Sequence, residues 1–406
     1  MRVNKNQKVF FELVRAGLFP VHGEGVMVNG SFFEGVDWGE VYRLAEEQSV
    51  VGLIADAIDC FKFQISGFKI PQAVALQFIG QTMQIEQRNK AMNAFVAELI
   101  ELLRKNDIYA LLVKGQGIAQ CYQKPLWRAC GDVDLLLSED NYKASIRILK
   151  PMASSIDEEQ EERKHLALTI DGWTVELHGT LRTNLWSHLE RVMDDIQRDV
   201  FYGGEVRSTQ FQVSSSKFQD ASANHNDSFR TAGAVQVFLP GPDEDVVFVF
   251  AHILQHFYIE GIGMRQICDW CRLLWTYRDA IDHRTLDLRL RKAGMMKEWK
   301  AFASFAVEYL GMPEEAMPFY ESRFKAQGSR VMELVMDSGN FGQGKDKSYK
   351  LRHSKGASYM ISFGLHAKDG YRRFRLFPAH ALLMWWKLMM HGLKGVLGIG
   401  KNDGGL

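Results

Sequence analysis

One short segment of the sequence combines residues that could act on phosphate groups. It reads VKGQGIAQCYQKPLWRACGDVDLLL, with Lys114 and Gly115 at its start and Asp132 and Asp134 near its end. Alternate side chains of a strand share one face at about 6.5–7 Å, so both carboxylates would face the same way while Val133 faces the core. Such a pair can bind Mg²⁺ through carboxylate oxygens. It can equally be two solvated acids at the end of a strand.

A second Asp-x-Asp shows that this spacing alone is uninformative. Asp243 and Asp245 follow Pro242 at the start of an apolar segment with helical spacing, where proline and acids favour a helix N-terminus. Asp245→Asn should therefore cost at most about 1 kcal/mol, through the helix end. Asp134→Asn should leave the metal-free fold as stable as before or slightly more stable, because Asp132 repels the charge that is removed.

The residues around the first pair strengthen the case for chemistry. Lys114 and Gly115 end the apolar run YALLV, where a glycine lets backbone amides approach an anion and the lysine adds a positive charge. In WTVELHGTL, Glu176 and His178 share the polar face of a second strand. Three acids on adjacent strand ends, beside a cation, would suit two-metal phosphoryl transfer.

The elements that must position these residues divide the chain into five regions. Apolar residues at helical spacing predict an N-terminal helical region over 1–106, and short apolar runs predict an α/β core over 107–185. In that core, LALTIDGWTVELHGTL predicts a hairpin that turns at Asp171-Gly172. The fold class expected is α+β, a small mixed β-sheet flanked by N-terminal and C-terminal helical regions. The three remaining regions are a β/loop insertion with a polar mobile segment (186–240), a helical bundle (241–340), and a linker with an amphipathic C-terminal segment (341–406).

The same motifs resemble a known family. The K-G…R…G-D-V-D-L-L-L segment is similar to the core of the uncharacterised nucleotidyltransferase family, within the DNA polymerase β-like superfamily, and VELHGTL resembles its E-x-H strand. The likeness extends to RRFRLFP and to FAHILQHFYIEGIGMRQICDWCRLL, which carries His252, His256, Arg265 and Asp269. We expect the helix that carries Arg265 and Asp269 to pack beside the α/β core.

The resemblance implies a reaction and a set of site residues. An acceptor hydroxyl would attack the α-phosphorus of a nucleoside triphosphate and release pyrophosphate, with Mg²⁺ or Mn²⁺ held by Asp132, Asp134 and Glu176. Glu176 would complete the metal site or act as general base, and Lys114 and Gly115 would replace the glycine-serine loop that holds the nucleotide's phosphates in the wider superfamily. His178 would join the nucleotide site. Arg128 would either contact phosphate or form a structural ion pair.

Two alternatives to the enzyme remain open at this stage. The protein could bind a nucleotide without catalysis, as a pseudoenzyme, or it could be a helical interaction protein whose acids line a strand end. The acceptor could be a protein, a sugar or another small molecule. Lysine plus arginine and aspartate plus glutamate both number 49, so no overall positive field predicts nucleic acid as a partner.

Cysteines and the N-terminus suggest a location. Five cysteines in 406 residues are too few for a disulfide framework and favour a reducing compartment. The start, MRVNKNQKVFFELVRAG, is too polar for a signal peptide, so a cytoplasmic protein is expected. Two cysteines in a helical pattern, Cys268 and Cys271, could join His252 and His256 in a zinc site, or they could be core residues.

The C-terminal segment has two interpretations. ALLMWWKLMMHGLKGVLG is apolar, but Lys387, His391 and Lys394 interrupt it at helical spacing and argue against a membrane-spanning helix. It would pack on the protein's own bundle or on a partner. Alternatively, the paired Trp385 and Trp386 and the nearby arginines suit peripheral contact with a membrane surface.

Overall fold

The structure is a computed structural model, and it describes residues 3–19, 29–160, 164–203, 206–212, 233–259, 261–339 and 370–397. The first of these residues form helices, as their apolar spacing predicts. They are α1 (Lys5–Leu18), α2 (Trp38–Glu47), α3 (Val51–Gln64) and α4 (Gln72–Lys105). Asn4 and Asp37 cap α1 and α2 by accepting hydrogen bonds from first-turn amides. At 34 residues, α4 is long enough to contact both the N-terminal helices and the sheet.

Five strands form the mixed sheet that the sequence predicts. They are β1 (Ala110–Val113), β2 (Asp132–Leu137), β3 (Ser155–Ile156), β4 (His165–Ile170) and β5 (Trp173–His178). Their order is β1-β2-β5-β4-β3, with β2 and β5 parallel and the other neighbours antiparallel. The short helix α5 (Gly115–Ala119) follows β1, and α6 (Glu139–Leu149) follows β2. The sequence did not predict β3, which has only two residues.

The predicted hairpin between β4 and β5 is confirmed. Asp171 and Gly172 have φ angles of 51° and 78°, which is the left-handed pair of a type I′ turn and suits the twist of two antiparallel strands. This turn fixes the register, so that Ile170 pairs with Trp173 and His165 pairs with His178.

The region 186–240 differs from its prediction as strand and loop. It begins with helix α7 (Ser187–Tyr202) and continues with β6 (Val206–Gln212) and β7 (Ala234–Pro240), which form an antiparallel ribbon. The buried residues of α7 have helical spacing, at Leu189, Val192, Met193, Ile196 and Val200. Polar residues between them obscured this pattern in the sequence. Residues 213–232, which make up most of the predicted mobile segment, lie outside the described residues.

Helices predominate in the remaining described residues. They are α8 (Pro242–Ile259), α9 (Met264–Thr276), α10 (His283–Ala293), α11 (Met296–Leu310), α12 (Lys325–Ser338) and α13 (Pro378–Leu397). Residues 370–376 are also helical, and the predicted linker at 341–369 lies outside the described residues. One hydrophobic core joins the N-terminal helices to this bundle, and a second fills the space between the sheet, the end of α4 and the ribbon. The α+β class is confirmed.

Candidate active site

The three acids predicted from the sequence lie on the two parallel strands at the centre of the sheet. Asp132 and Asp134 are on β2, Glu176 is on β5, and the register places Asp134 opposite Glu176. The intervening residues point into the core, with Val133 1% and Val175 0% exposed. Alternation along both strands therefore brings the three acids to one face of the sheet.

Asp134 is the most enclosed of these acids and has two partners of its own. Its side chain is 2% exposed, and its Oδ1 lies 2.7 Å from Lys114 Nζ and 2.8 Å from His178 Nε2. Lys114 comes from the turn between β1 and α5, and His178 from the end of β5. The sequence predicted Lys114 as a phosphate ligand, whereas in this structure its ammonium group forms an ion pair with Asp134.

Glu176 belongs to a compact group with two histidines. Its Oε2 lies 3.2 Å from His165 Nε2 and 3.5 Å from His178 Nε2. Among the described residues, these three form the group whose potential metal-ligating atoms all lie within 4.8 Å of one another. The sequence prediction missed His165. The hairpin turn was the available signal, because counting outward from it pairs position 165 with position 178.

The electrostatics distinguish the acids. The charge of Asp134, followed by burial, raises the pKa of Asp132 to about 6. Burial also acts to raise the pKa of Glu176, but hydrogen bonds from His165 and His178 outweigh it and hold that pKa below its usual range. Asp132 is thus the carboxylate whose negative charge is poorly compensated, and a nearby cation would stabilise it.

The turn that carries Lys114 is strained. Lys114 has φ 55° and ψ −143°, a conformation that costs a residue with a side chain about 1–3 kcal/mol. Neighbouring contacts hold the turn in place: the Gln116 amide donates to Asn89 Oδ1 at 3.1 Å, and the Asn89 amide donates to the backbone carbonyls of Leu126 and Arg128. Strain of this kind accumulates at functional sites, which supports a role for this turn beyond stability.

A cleft separates the sheet face from the helical bundle. Lys114, Gly115, Arg128, Asp132 and Asp134 line one side of it. Helices α8 and α9 form the other side, and the free space is about 50 Å³, which is room for several water molecules. Most of the predicted site therefore faces one cleft, while Glu176 and His178 adjoin it through Asp134.

The opposite wall contains a residue that the sequence prediction missed. Gln266 of α9 is 7% exposed, and neither its amide nitrogen nor its amide oxygen has a hydrogen-bond partner among the described residues. Leaving a buried polar group unpaired costs about 1–3 kcal/mol, so native proteins retain such groups for a reason. An amide that lines a cleft can bind a ligand with both a donor and an acceptor.

His252 of α8 lies on the same wall. Burial and the positive charge of Lys114 hold the pKa of His252 well below its usual range, so its ring is neutral. Its Nε2 lies 3.0 Å from Nε2 of His256. A neutral imidazole here can accept a proton.

Arg128 forms a structural ion pair, one of the two roles expected. Its Nε lies 3.1 Å from Asp269 Oδ1, and its terminal nitrogen bonds the other carboxylate oxygen. Tyr122 donates to the same Asp269 oxygen at 2.7 Å. Arg272 of α9 adds hydrogen bonds to the carbonyl of Cys121. Helix α9 therefore packs beside the α/β core, as predicted.

The two histidines that could have formed a zinc site lie together, but the two cysteines do not join them. Cys268 and Cys271 are fully buried in the helical core, and burial raises the pKa of both thiols. Among the described residues, no cluster of three or more potential metal ligands contains any of these four side chains. The prediction that both cysteines are core residues is confirmed.

The second Asp-x-Asp begins a helix, as predicted, but with a further contact. Asp243 and Asp245 lie in the first turn of α8. Asp245 is 2% exposed and forms an ion pair with Arg207 of β6. Burial raises the pKa of Asp245 to about 6. The position is a buried ion pair rather than a solvated helix end.

The fold and the cleft together define an α+β protein with an acidic site between a mixed sheet and a helical bundle. A family model described as "Uncharacterised nucleotidyltransferase" matches residues 34–311, which is more than half of the chain. The chain therefore belongs to the uncharacterised nucleotidyltransferase family, and this supports a general role in nucleotidyl transfer. Neither the curated proteins nor the solved structures contain a significant match.

Proposed function

We propose that the protein is a metal-dependent nucleotidyltransferase. It would move a nucleoside monophosphate from a nucleoside triphosphate to a hydroxyl group of a protein, a sugar or another small molecule, with release of pyrophosphate. The observation that supports this most directly is the common face of Asp132, Asp134 and Glu176 on two parallel strands, in a chain of this family.

The donor set fits Mg²⁺ or Mn²⁺. Asp132, Asp134 and Glu176 offer the carboxylate oxygens that such cations prefer. The raised pKa of Asp132 supports this assignment, because a positive neighbour would stabilise its charged form. These three residues would hold the metal. When bound, it would neutralise the charge of the phosphates and of the transition state.

Positive side chains of the protein suit the binding of the triphosphate. Lys114 provides one charge beside Asp134, and Arg265 provides another on the opposite wall of the cleft. Burial and the nearby Arg128 lower the pKa of Arg265, so an anion would be stabilised beside it. The amide of Gln266 would bond a donor and an acceptor of the ligand, as an amide does on the edge of adenine.

Proton transfer is assigned to the opposite wall of the cleft. Glu176 is a weak base because hydrogen bonds from His165 and His178 lower its pKa against the effect of burial, so it suits a metal ligand better than a base. His252 lines the cleft and is neutral, because burial and the charge of Lys114 lower its pKa. It is a weak base for the same reason, but unlike Glu176 it is not needed as a metal ligand, so its imidazole would accept the proton of the acceptor hydroxyl.

The test is Mg²⁺-dependent release of pyrophosphate from each of the four ribonucleoside triphosphates. Asp132→Asn, Asp134→Asn and Glu176→Gln should each lower this rate by roughly a hundredfold or more, since each removes charge that stabilises the transition state. Glu139→Gln is a matched control, because Glu139 begins α6 just beyond β2 and its side chain is 58% exposed. Wild-type turnover in the three site variants, or none in the wild type, would refute the proposal.

A nucleotide-binding protein without catalysis is the second candidate. It is favoured by the contacts of Asp134, whose charge is already compensated by Lys114 and His178. In that case calorimetry would show Mg²⁺-dependent binding of a triphosphate, and no pyrophosphate would form. A protein that only mediates helical interactions would show neither.

A further inference from the structure

The inner face of α13 is docked on the protein. The ring of His380 stacks on Trp186 with centroids 3.7 Å apart, and Met384 is buried. Lys387 donates to the backbone carbonyl of Leu185 at 2.7 Å. This helix also contacts α8, which carries His252 of the cleft. The protein itself therefore fixes the position of α13.

The outer face of α13 is apolar, which reverses the usual arrangement of a surface helix. Six large side chains on it are each at least 37% exposed: Leu382, Leu383, Trp385, Trp386, Met389 and Met390. The helical stretch before it adds the exposed side chains of Tyr371 and Phe374. The sequence predicted a polar stripe that begins at Lys387, but this lysine reaches back towards the bundle. Contiguous exposed apolar side chains mark an interaction surface.

Cations outnumber acids in the segment that carries this face. Residues 370–402 contain no aspartate or glutamate and six lysines and arginines. Two of these cations are already engaged, because Arg372 pairs with Asp337 at 2.7 Å and Arg373 is buried. Over the whole chain, basic and acidic residues are equal in number, so this excess is local. Arg375 is exposed, and the carbonyl oxygens that Lys387 contacts carry no net charge to neutralise it.

We propose that the outer face of α13 binds the surface of an anionic membrane. No helix among the described residues has the length and apolar character needed to cross a bilayer. A helix with exposed tryptophans, leucines and nearby cations, but no acids, suits the lipid interface, where the rings enter the headgroup region and the cations meet anionic lipid.

A second copy of the chain fits this face less well. A two-fold dimer places the same surface of each copy together. Here it would bring the exposed Arg375 and Lys387 of both copies together without an acid from residues 370–402 of either copy, and like charges at an interface oppose association. The charge thus favours anionic lipid over a second copy.

The test is sedimentation of the full chain with vesicles. Vesicles of phosphatidylcholine alone are compared with vesicles that also contain phosphatidylglycerol, at low and at high salt. We expect binding to the anionic vesicles only, weakened by salt. The double change Trp385→Ala and Trp386→Ala should weaken binding roughly tenfold or more, because each ring contributes buried apolar area. Phe63→Ala is the control, since Phe63 is 91% exposed on α3.

Light scattering and circular dichroism complete the experiment. The tryptophan variant should keep the wild-type helical signal and melting temperature, since both rings are exposed. Equal binding to neutral and anionic vesicles would overturn the proposal. So would a dimer that the two tryptophan changes dissociate, or a monomer that binds neither kind of vesicle.

Discussion

Asp132 and Asp134 should respond in opposite ways to the same change when no metal is present. In Asp134→Asn, the buried Lys114 and His178 lose the negative charge that they contact at 2.7 and 2.8 Å. Breaking a buried ion pair by removing one partner costs about 3–5 kcal/mol. Since asparagine retains an oxygen that accepts a hydrogen bond, we expect a loss of about 2–3 kcal/mol in the free energy of unfolding.

Asp132→Asn should instead stabilise the metal-free protein. Mainly because of the charge of Asp134, the pKa of Asp132 is raised from 3.8 to about 6, so its ionised form is disfavoured in the folded state. Each unit of pKa difference corresponds to about 1.4 kcal/mol, which sets an upper limit of about 3 kcal/mol. Because Asp132 is partly exposed, we expect a gain of about 1–2 kcal/mol near neutral pH.

The pH dependence gives this prediction a second test. Between pH 3.8 and about 6 the folded state binds more protons at Asp132 than the unfolded state does, so this residue makes the wild type less stable as pH rises. The advantage of Asp132→Asn over the wild type should therefore grow across that interval and stay constant above it. Asp134→Asn should be less stable than the wild type at neutral pH.

The assay is urea unfolding, followed by circular dichroism, in EDTA and again with Mg²⁺. Mg²⁺ should stabilise the wild type by mass action, and both variants should lose most of that gain. The reasoning would be refuted if both variants destabilised the metal-free protein equally, or if Asp134→Asn were neutral. From the sequence alone, Asp134→Asn was expected to leave the stability of the metal-free protein unchanged or slightly raised. The experiment therefore tests whether repulsion from Asp132 or the contacts with Lys114 and His178 dominate at this position.

Three further predictions follow from other buried groups. Asp245→Asn should cost about 1–2 kcal/mol in urea unfolding. It leaves the Arg207 guanidinium buried without its partner, but it also removes a charge that burial disfavours, since the pKa of Asp245 is raised to about 6. A variant as stable as the wild type would contradict a stabilising ion pair. Asp269→Asn should likewise lower the free energy of unfolding by about 3 kcal/mol, because it removes the charge that Arg128 contacts. A variant that is as stable as the wild type but binds triphosphate more weakly would instead indicate that Arg128 contacts phosphate. Gln266→Leu should raise the melting temperature of the ligand-free protein, because the buried amide has no hydrogen-bond partner among the described residues. It should also weaken triphosphate binding in calorimetry by roughly tenfold or more, and unchanged affinity would remove Gln266 from the site.

Local regularities made much of the site predictable. A strand alternates its side chains, so the spacing of Asp132 and Asp134 was enough to place both acids on one face and Val133 in the core. The hairpin turn set the register of β4 and β5, and this register places His165 opposite His178. The pairing of β2 with β5, which no local pattern specifies, then placed Asp134 opposite Glu176.

By itself, the sequence determined the α+β class and the strands that carry the acids, because periodicity and turn chemistry act over a few residues. Tertiary structure decided which residues form ion pairs, namely Lys114 with Asp134 and Arg128 with Asp269. It also decided that the apolar face of α13 points outward. The physical reason is that a charged or apolar side chain is stabilised by whichever group the fold brings within a few ångströms of it. That group can lie anywhere along the chain, as Arg128 and Asp269 do, 141 positions apart.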